Sequence, residues 1–386
     1  MQCLAYRPAS AWCVASEPPR SIGENLTMNS VPTPAAKRLI LPIQYLRGIA
    51  AIMVVWYHAI EQVPGVSSYF ASGFGASGVD LFFVISGFIM VTTTLGNAPT
   101  PLEFMRRRII RVVPLYWLLT LSMVVLAMCM PSLFRTLIVA PGTLAESLLF
   151  IPHFSNSFPN MVWPLLVPGW TLNFEMFFYV VFAGSLLLPT RLQLPALAVV
   201  FGILVAIGMT LGPFDSAAAR VYFSPLLIEF VAGAAIGTLW RKRGGRPGTV
   251  VSVLLLICGF ALLVCRDRSP LGGFTQMIGA GMMVAGALSP AFANWPCMPL
   301  RALGDSSYSL YLTHLFTLGL LRVIWSYFVP PIESWPEAAI FLVVALGVAS
   351  VVGWLTFRFL ETPMMQWLNR CTRPRPGAAP ATTTTN

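Results

Sequence analysis

The chain has 386 residues, of which 56% are hydrophobic and only 10% charged, with a mean hydropathy of +0.75. A soluble domain carries about a quarter charged residues, so this composition excludes a water-soluble enzyme and points to an integral membrane protein. The net charge of +10 reads as a topology signal and makes no case for nucleic acid.

Apolar runs near the roughly twenty residues needed to cross a bilayer recur along most of the chain. They predict ten spans, at about 40–60, 79–96, 112–130, 169–188, 194–212, 221–240, 249–265, 273–291, 304–327 and 337–359. These must be helices, because lipid offers no partner to an open backbone. The expected fold class is therefore all-α, an integral membrane bundle of about ten transmembrane helices. Placing the N-terminus in the cytoplasm puts the basic residues at 37–47, 106–111, 191, 241–246, 301, 358 and 370–375 inside. Only Arg135, Arg220, Arg266, Arg268 and Arg322 remain outside, which favours both termini cytoplasmic. Residues 1–38, rich in Pro and Ser, read as an over-extended or disordered segment, with Met28 an alternative start. Residues 39–368 form the transmembrane domain, and 369–386 read as a disordered cytoplasmic tail. The seven cysteines include no C-x-x-C pair, so neither a metal site nor a disulfide framework is expected.

Span one carries Arg47 and His58. Eleven residues apart, they lie within about 20° of one helix face and about 16 Å along it. A cation and an imidazole in a span usually face a protein interior or a wet cavity. Snorkelling to headgroups and capping of the span end explain the pair equally well. Span two begins GASGVDLFFVISGFIM and places Asp80 at its outer end, near His58. A carboxylate there could orient the imidazole as a general base, or simply favour the helix N-terminus. The loop after span two holds RRRIIRVVPLYW. Arg107 and Arg111, four apart, project to one side of a helical turn and suit a phosphate, although positive-inside bias alone also explains the charge. His153 lies in the external loop of about 131–168 and reads as solvated or interfacial.

Span four opens at PGWTLNFEMFFYVVF, with Trp170 and then Glu175. A carboxylate in so apolar a stretch needs a partner or a proton, and it reads either as a site residue or as a neutral packing glutamate. Glu229 in span six is a similar acid with less context. In span nine, Tyr308, Tyr311 and His314 are spaced by three and share a face, which could line a ligand cavity or serve as interhelical polar glue.

Together these segments resemble the acyltransferase 3 family of multi-pass membrane acyltransferases. The resemblance rests on QYLRGIAAIMVVWYHA, GASGVDLFFVISGFIM, FMRRRIIRVVPLYW, LLVPGWTLNFEMFFYVVF and GDSSYSLYLTHLF, in that order, with ETPMMQW at 361–367 as a closing pattern. The wording is closest to the exopolysaccharide-production subgroup. The resemblance implies that Arg47 and His58 are the essential pair of the first span, with His58 catalytic, and that Asp80 is the second-span acid. It implies that Arg108 and Arg111 form an Arg-x-x-Arg element for the acyl-CoA donor, and that Glu175 and His314 are the polar positions of later spans.

The expected activity is O-acyl transfer in the bacterial inner membrane. An acetyl group moves from cytoplasmic acyl-CoA to a hydroxyl of a surface or secreted glycan, or of its lipid-linked precursor. His58, Asp80 and Glu175 are the expected catalytic group, Arg47, Arg107, Arg108 and Arg111 the donor site, and Trp170, Tyr308, Tyr311 and His314 the cavity. His58 could act as general base or form an acyl-histidine, and the residues do not choose between these. Two other classes compete: a proton-coupled transporter or flippase of a lipid-linked sugar, which would also use buried His, Asp and Glu, and a scaffold without chemistry. The transporter is weakened by the absence of related halves and broken helices. Oligomeric state is not legible.

Overall fold

The computed structural model describes residues 40–63, 65–96, 99–133, 136–243, 246–265, 273–329 and 331–372. The expectations for residues 1–38 and for Met28, Arg135, Arg266, Arg268, Arg373 and Arg375 fall outside the described residues. Among those described there is no strand. The α-helices are α1 (Leu41–Gln62), α2 (Gly73–Ala76), α3 (Gly78–Thr94), α4 (Pro101–Cys129), α5 (Pro141–Leu148), α6 (Trp170–Ser185), α7 (Thr190–Leu211) and α8 (Ala217–Tyr222). They continue as α9 (Leu227–Arg243), α10 (Thr249–Val264), α11 (Phe274–Ala287), α12 (Met298–Asp305), α13 (Ser307–Phe328), α14 (Trp335–Thr356) and α15 (Thr362–Thr372). A π-helical turn, Phe357–Glu361, joins the last two.

Each of the ten apolar runs falls on a helix: α1, α3, α4, α6, α7, α9, α10, α11, α13 and α14. Six helical stretches among the described residues are long and apolar enough to cross a membrane, and α10 and α11 are shorter apolar helices. The chain is thus a multi-pass membrane protein. Its outer faces are apolar, as lipid requires: Val250 on α10, Ile203 on α7 and Val343 on α14 are all exposed. The polar exceptions run the other way, with Asp80, Glu229, His314 and Glu361 buried.

Helix α1 lies at the centre, since its buried residues contribute to every apolar cluster among the described residues, and α3 contributes buried residues to two of them. Ile43, Leu46 and Met53 pack with Leu81, Val84 and Phe88 and with Ala280 and Val284 of α11. Ala51, Val55 and Ala59, on another side of α1, pack with Leu310, Phe341 and Leu342 of α13 and α14. Phe83 and Met90 join the aromatic core of α4, α6, α7 and α9. Apolar burial separates helices weakly from lipid, so close backbone approach matters more. Where α3 crosses α9, a Cβ on Gly87 would sit 1.9 Å from the Phe230 carbonyl oxygen, and one on Gly233 would sit 1.9 Å from that of Val84. Gly233 and Gly237 form the G-x-x-x-G spacing of GAAIG.

Two expectations about the fold change. The RRRIIRVV segment is the start of α4, not a loop. Thr100 caps the helix by accepting from the Glu103 amide at 3.2 Å, and Pro101 follows at its first position. The C-terminal boundary also moves. α15 continues to Thr372, where the Arg106 guanidinium donates to the Thr372 hydroxyl at 2.7 Å.

Candidate active site

A cavity of about 170 Å³ opens among α1, α3, α4, α6 and α13. Arg47, Ser86, Arg108, Arg111, Thr171, Glu175, Tyr179, Ser307, Tyr308 and Tyr311 supply its polar lining, and Phe82, Phe83, Ile85, Ile89 and Met90 of α3 its apolar wall. The arginines arrive there by helix geometry. Arg47 is in the second turn of α1, and Arg108 and Arg111 are one turn apart near the start of α4, so both helices begin beside the cavity.

Each guanidinium is held differently. Arg47 donates to Gln44 Oε1 at 2.7 Å and to Ser307 Oγ at 2.9 Å, and Gln44 in turn donates to Asp305 Oδ1 at 2.8 Å. Arg108 lies 5.5 Å from the Phe104 ring centroid and 5.9 Å from that of Tyr179, and its buried Nε has no partner among the described residues. Arg111 pairs with Glu361, which also accepts from Ser309 Oγ at 2.5 Å, and it lies 5.6 Å from the Tyr308 ring. Among the described residues Arg47 and Arg108 form no ion pair. The one acid on the cavity wall is Glu175, which accepts from Ser86 Oγ at 3.1 Å and from the Tyr179 hydroxyl. The cavity is therefore rich in positive charge in a region where charge is expensive.

Tyr311 is part of the lining. Its hydroxyl donates to the Pro168 carbonyl at 3.1 Å and sits 2.9 Å from Thr171 Oγ1, closing α13 against the start of α6. Beyond it lie two imidazoles. The His314 ring is 5.8 Å from that of Tyr311 and 5.0 Å from that of His58, tilted by 34°. His314 is fully buried. Its Nδ1 is 2.6 Å from the Tyr311 carbonyl oxygen, which can only accept, so Nδ1 carries the proton. Its Nε2 is buried without a partner among the described residues. Tyr308 completes the face: its hydroxyl donates to the Val112 carbonyl at 2.6 Å.

Arg47 and His58 do share the α1 face turned to α13, as their spacing predicts. The other expectations divide. No hydrogen bond joins Asp80 to His58. Gly78 abuts α1, where a Cβ would meet the Ala50 carbonyl oxygen at 2.5 Å, and Asp80, about 200° further around α3, is turned from α1. It lies on the side of Ser77, whose Oγ donates to the Leu263 carbonyl of α10 at 3.3 Å. Arg107 is exposed, paired with Glu103 and outside the lining, whereas Arg108 and Arg111, expected beside it, are part of the lining. Trp170 lies outside the lining and packs against Phe174 at 5.8 Å. His153 is buried rather than solvated, with Nδ1 2.9 Å from the Ile151 carbonyl oxygen. Sequence reasoning missed Glu361, Ser86, Tyr179 and Ser307. Glu361 carried a signal: it is a lone acid in the apolar run FRFLE, the argument already applied to Glu175.

Comparison with known proteins identifies relatives of the chain as a whole. The acyltransferase domain family matches residues 41–354. The chain is 39% identical over 298 residues to the exopolysaccharide production protein ExoZ of Rhizobium meliloti, covering 76% of this chain and 90% of that protein. It is 27% identical to the peptidoglycan O-acetyltransferase OatA of Listeria monocytogenes, over 85% of this chain but only 56% of the relative. It is 24% identical to the acyltransferase MdmB of Streptomyces mycarofaciens, over 84% and 91%. No solved structure matches. The fold, the match across most of the chain and the ExoZ identity together place this protein in the acyltransferase 3 family of membrane acyltransferases.

Proposed function

We propose that this acyltransferase moves an acetyl group from cytoplasmic acyl-CoA to a hydroxyl of a surface or secreted polysaccharide, or of its lipid-linked precursor, across the bacterial inner membrane. Ten spans with both termini cytoplasmic place the arginine-lined cavity toward the cytoplasm and His58 toward the outside. The observation that carries the reading is the convergence of Arg47, Arg108 and Arg111 on one cavity, two of them without a carboxylate partner among the described residues. A surplus of guanidinium charge suits a polyanionic donor such as the coenzyme, whose phosphates take bidentate hydrogen bonds. The names of the relatives support a polysaccharide acceptor and an acetyl group.

In this reading the thioester arm passes from the arginines toward Tyr311 and the histidines. The acceptor oxygen attacks the thioester carbonyl carbon, the carbon–sulfur bond breaks, and the coenzyme leaves as thiolate. His58 takes the hydroxyl proton and returns it to the sulfur. His314, whose ring lies 5.0 Å from that of His58, takes the neighbouring position in which Asp80 was expected. Glu175 balances the arginines from the cavity wall. An acyl-histidine is the variant in which His58 carries the acetyl group between two transfers.

The test compares wild type with His58→Ala in inside-out vesicles given radiolabelled acetyl-CoA and surface glycan. Loss of a proton-transfer group lowers the rate about 10²- to 10⁴-fold. Equal transfer by both proteins, at equal insertion, would make His58 structural. Label retained on wild type after rapid denaturation near neutral pH, lost on brief acid treatment and absent from His58→Ala, would select the acyl-histidine variant.

A further inference from the structure

The described residues between α4 and α6 are tied to their neighbours by hydrogen bonds. The Tyr116 hydroxyl donates to the Ser147 carbonyl at 3.1 Å, and the Trp117 indole to that of Leu148 at 2.7 Å, which pins α5 to α4. Ser147 Oγ accepts from the Leu165 amide at 3.0 Å and lies 3.4 Å from His153 Nε2. Arg220 of α8 donates to the Asn160 carbonyl at 3.1 Å and stacks over Phe154 at 4.9 Å.

This segment holds a second cleft, of about 50 Å³, separate from the arginine cavity. Its wall combines the edge-to-face pair Phe158 and Trp163, with ring centroids 5.4 Å apart, with Thr136, Asn156 and His153. The Thr136 hydroxyl, the Asn156 amide and the Trp163 indole N–H make no side-chain hydrogen bond among the described residues, and none of the three is buried. Aromatic faces beside uncommitted, uncharged donors and acceptors are what a sugar ring requires: its C–H face lies on the rings, and its hydroxyls exchange water for amide, hydroxyl and indole. A phosphate or nucleotide would ask for cations, and the wall offers no Lys or Arg.

The position is as telling as the composition. α1 and α4 both begin at the arginine cavity, so this segment, following α4, lies at the end of the bundle where α1 carries His58. Val167 of the cleft adjoins Pro168, whose carbonyl accepts from Tyr311, whose ring abuts His314. A continuous line of contacts therefore runs from the cleft to the imidazole pair.

We infer that the cleft lined by Asn156, Phe158 and Trp163 is a saccharide subsite that holds the acceptor glycan while one of its hydroxyls reaches His58. The inference rests on the acyltransferase reading for its purpose, but binding tests it alone. Purified full-length protein in nanodiscs is titrated, without any acyl donor, with depolymerised secreted polysaccharide of the host, and separately with the host's lipid-linked oligosaccharide extract. Wild type binds one of the two, which identifies the form of the acceptor. Trp163→Ala and Asn156→Ala each weaken it about tenfold or more, the equivalent of one lost polar or stacking contact, whereas Trp163→Phe, which keeps an aromatic face and loses only the indole N–H, falls between Trp163→Ala and wild type. In acetyl transfer the same variants raise KM for the glycan and leave KM for acetyl-CoA unchanged. Failure of wild type to bind either preparation, or equal binding by Trp163→Ala, overturns the subsite. Binding that tracks the variants, without acetyl transfer, keeps the subsite and overturns the proposed function instead.

Discussion

Glu361 and Arg111 show how much rests on single side chains in this bundle. Glu361 is 1% exposed and Arg111 about a quarter exposed, and the carboxylate divides itself between Arg111 and Ser309. Removing one partner of a buried pair strands the other, a loss of about 3–5 kcal/mol, whereas replacing both by apolar groups is often neutral. Glu361→Ala should therefore lower the thermal midpoint in detergent sharply, and Arg111→Met combined with Glu361→Met should recover most of it. A single variant as stable as wild type would show that the pair holds nothing together. The same scale separates what was legible in the sequence from what was not. Arg47 and His58 share a face because eleven residues close three helical turns, a local rule that needs no neighbour. The expected link from Asp80 to His58 depends instead on how α3 is rotated against α1. That rotation is set by Gly75 and Gly78 meeting the backbone of Met53 and Ala50, and no spacing within one segment encodes it. Arg107 failed for a similar reason: Glu103, four residues earlier on the same helix, holds it at the surface.

At the scale of helices, the apolar runs located the elements because lipid forces every backbone group into a helix. They could not rank the interfaces. The α3–α9 crossing is decided by Gly87 and Gly233, where the helices meet without side chains between them. Gly233→Leu must push α9 away from α3. Overpacking costs about 1–3 kcal/mol in a core that can adjust, and here the obstacle is backbone, so we expect loss of folded protein by size-exclusion chromatography. The leucine variant of Gly202, whose Cβ would meet nothing within 4 Å, serves as the control and should fold. The start of α4 was missed as helix because charge there reads as loop. Thr100, Pro101 and Glu103 form an N-terminal signature that outweighs it.

For the whole molecule, the proposed topology puts Cys129 and Cys265 outside and Cys371 inside, all three free and exposed. Single-cysteine versions treated in intact cells with a membrane-impermeant maleimide should label at 129 and 265, and at 371 only after permeabilisation. Labelling of Cys371 in intact cells would reverse the orientation and with it the cytoplasmic origin of the donor.

The clasp of Tyr311 with Thr171 and Pro168 has a bioenergetic consequence. A protein that hands an acyl group from one face of a membrane to the other runs the risk of short-circuiting it. Here the arginine-lined space borders Tyr311, whose hydroxyl is held by Pro168 and Thr171, and two imidazoles lie beside it with ring centroids 5.0 Å apart. Vesicles loaded with a pH-sensitive dye should therefore hold a gradient with the wild-type protein and lose it faster with Tyr311→Ala, in which the ring no longer fills the space between the cavity and His314.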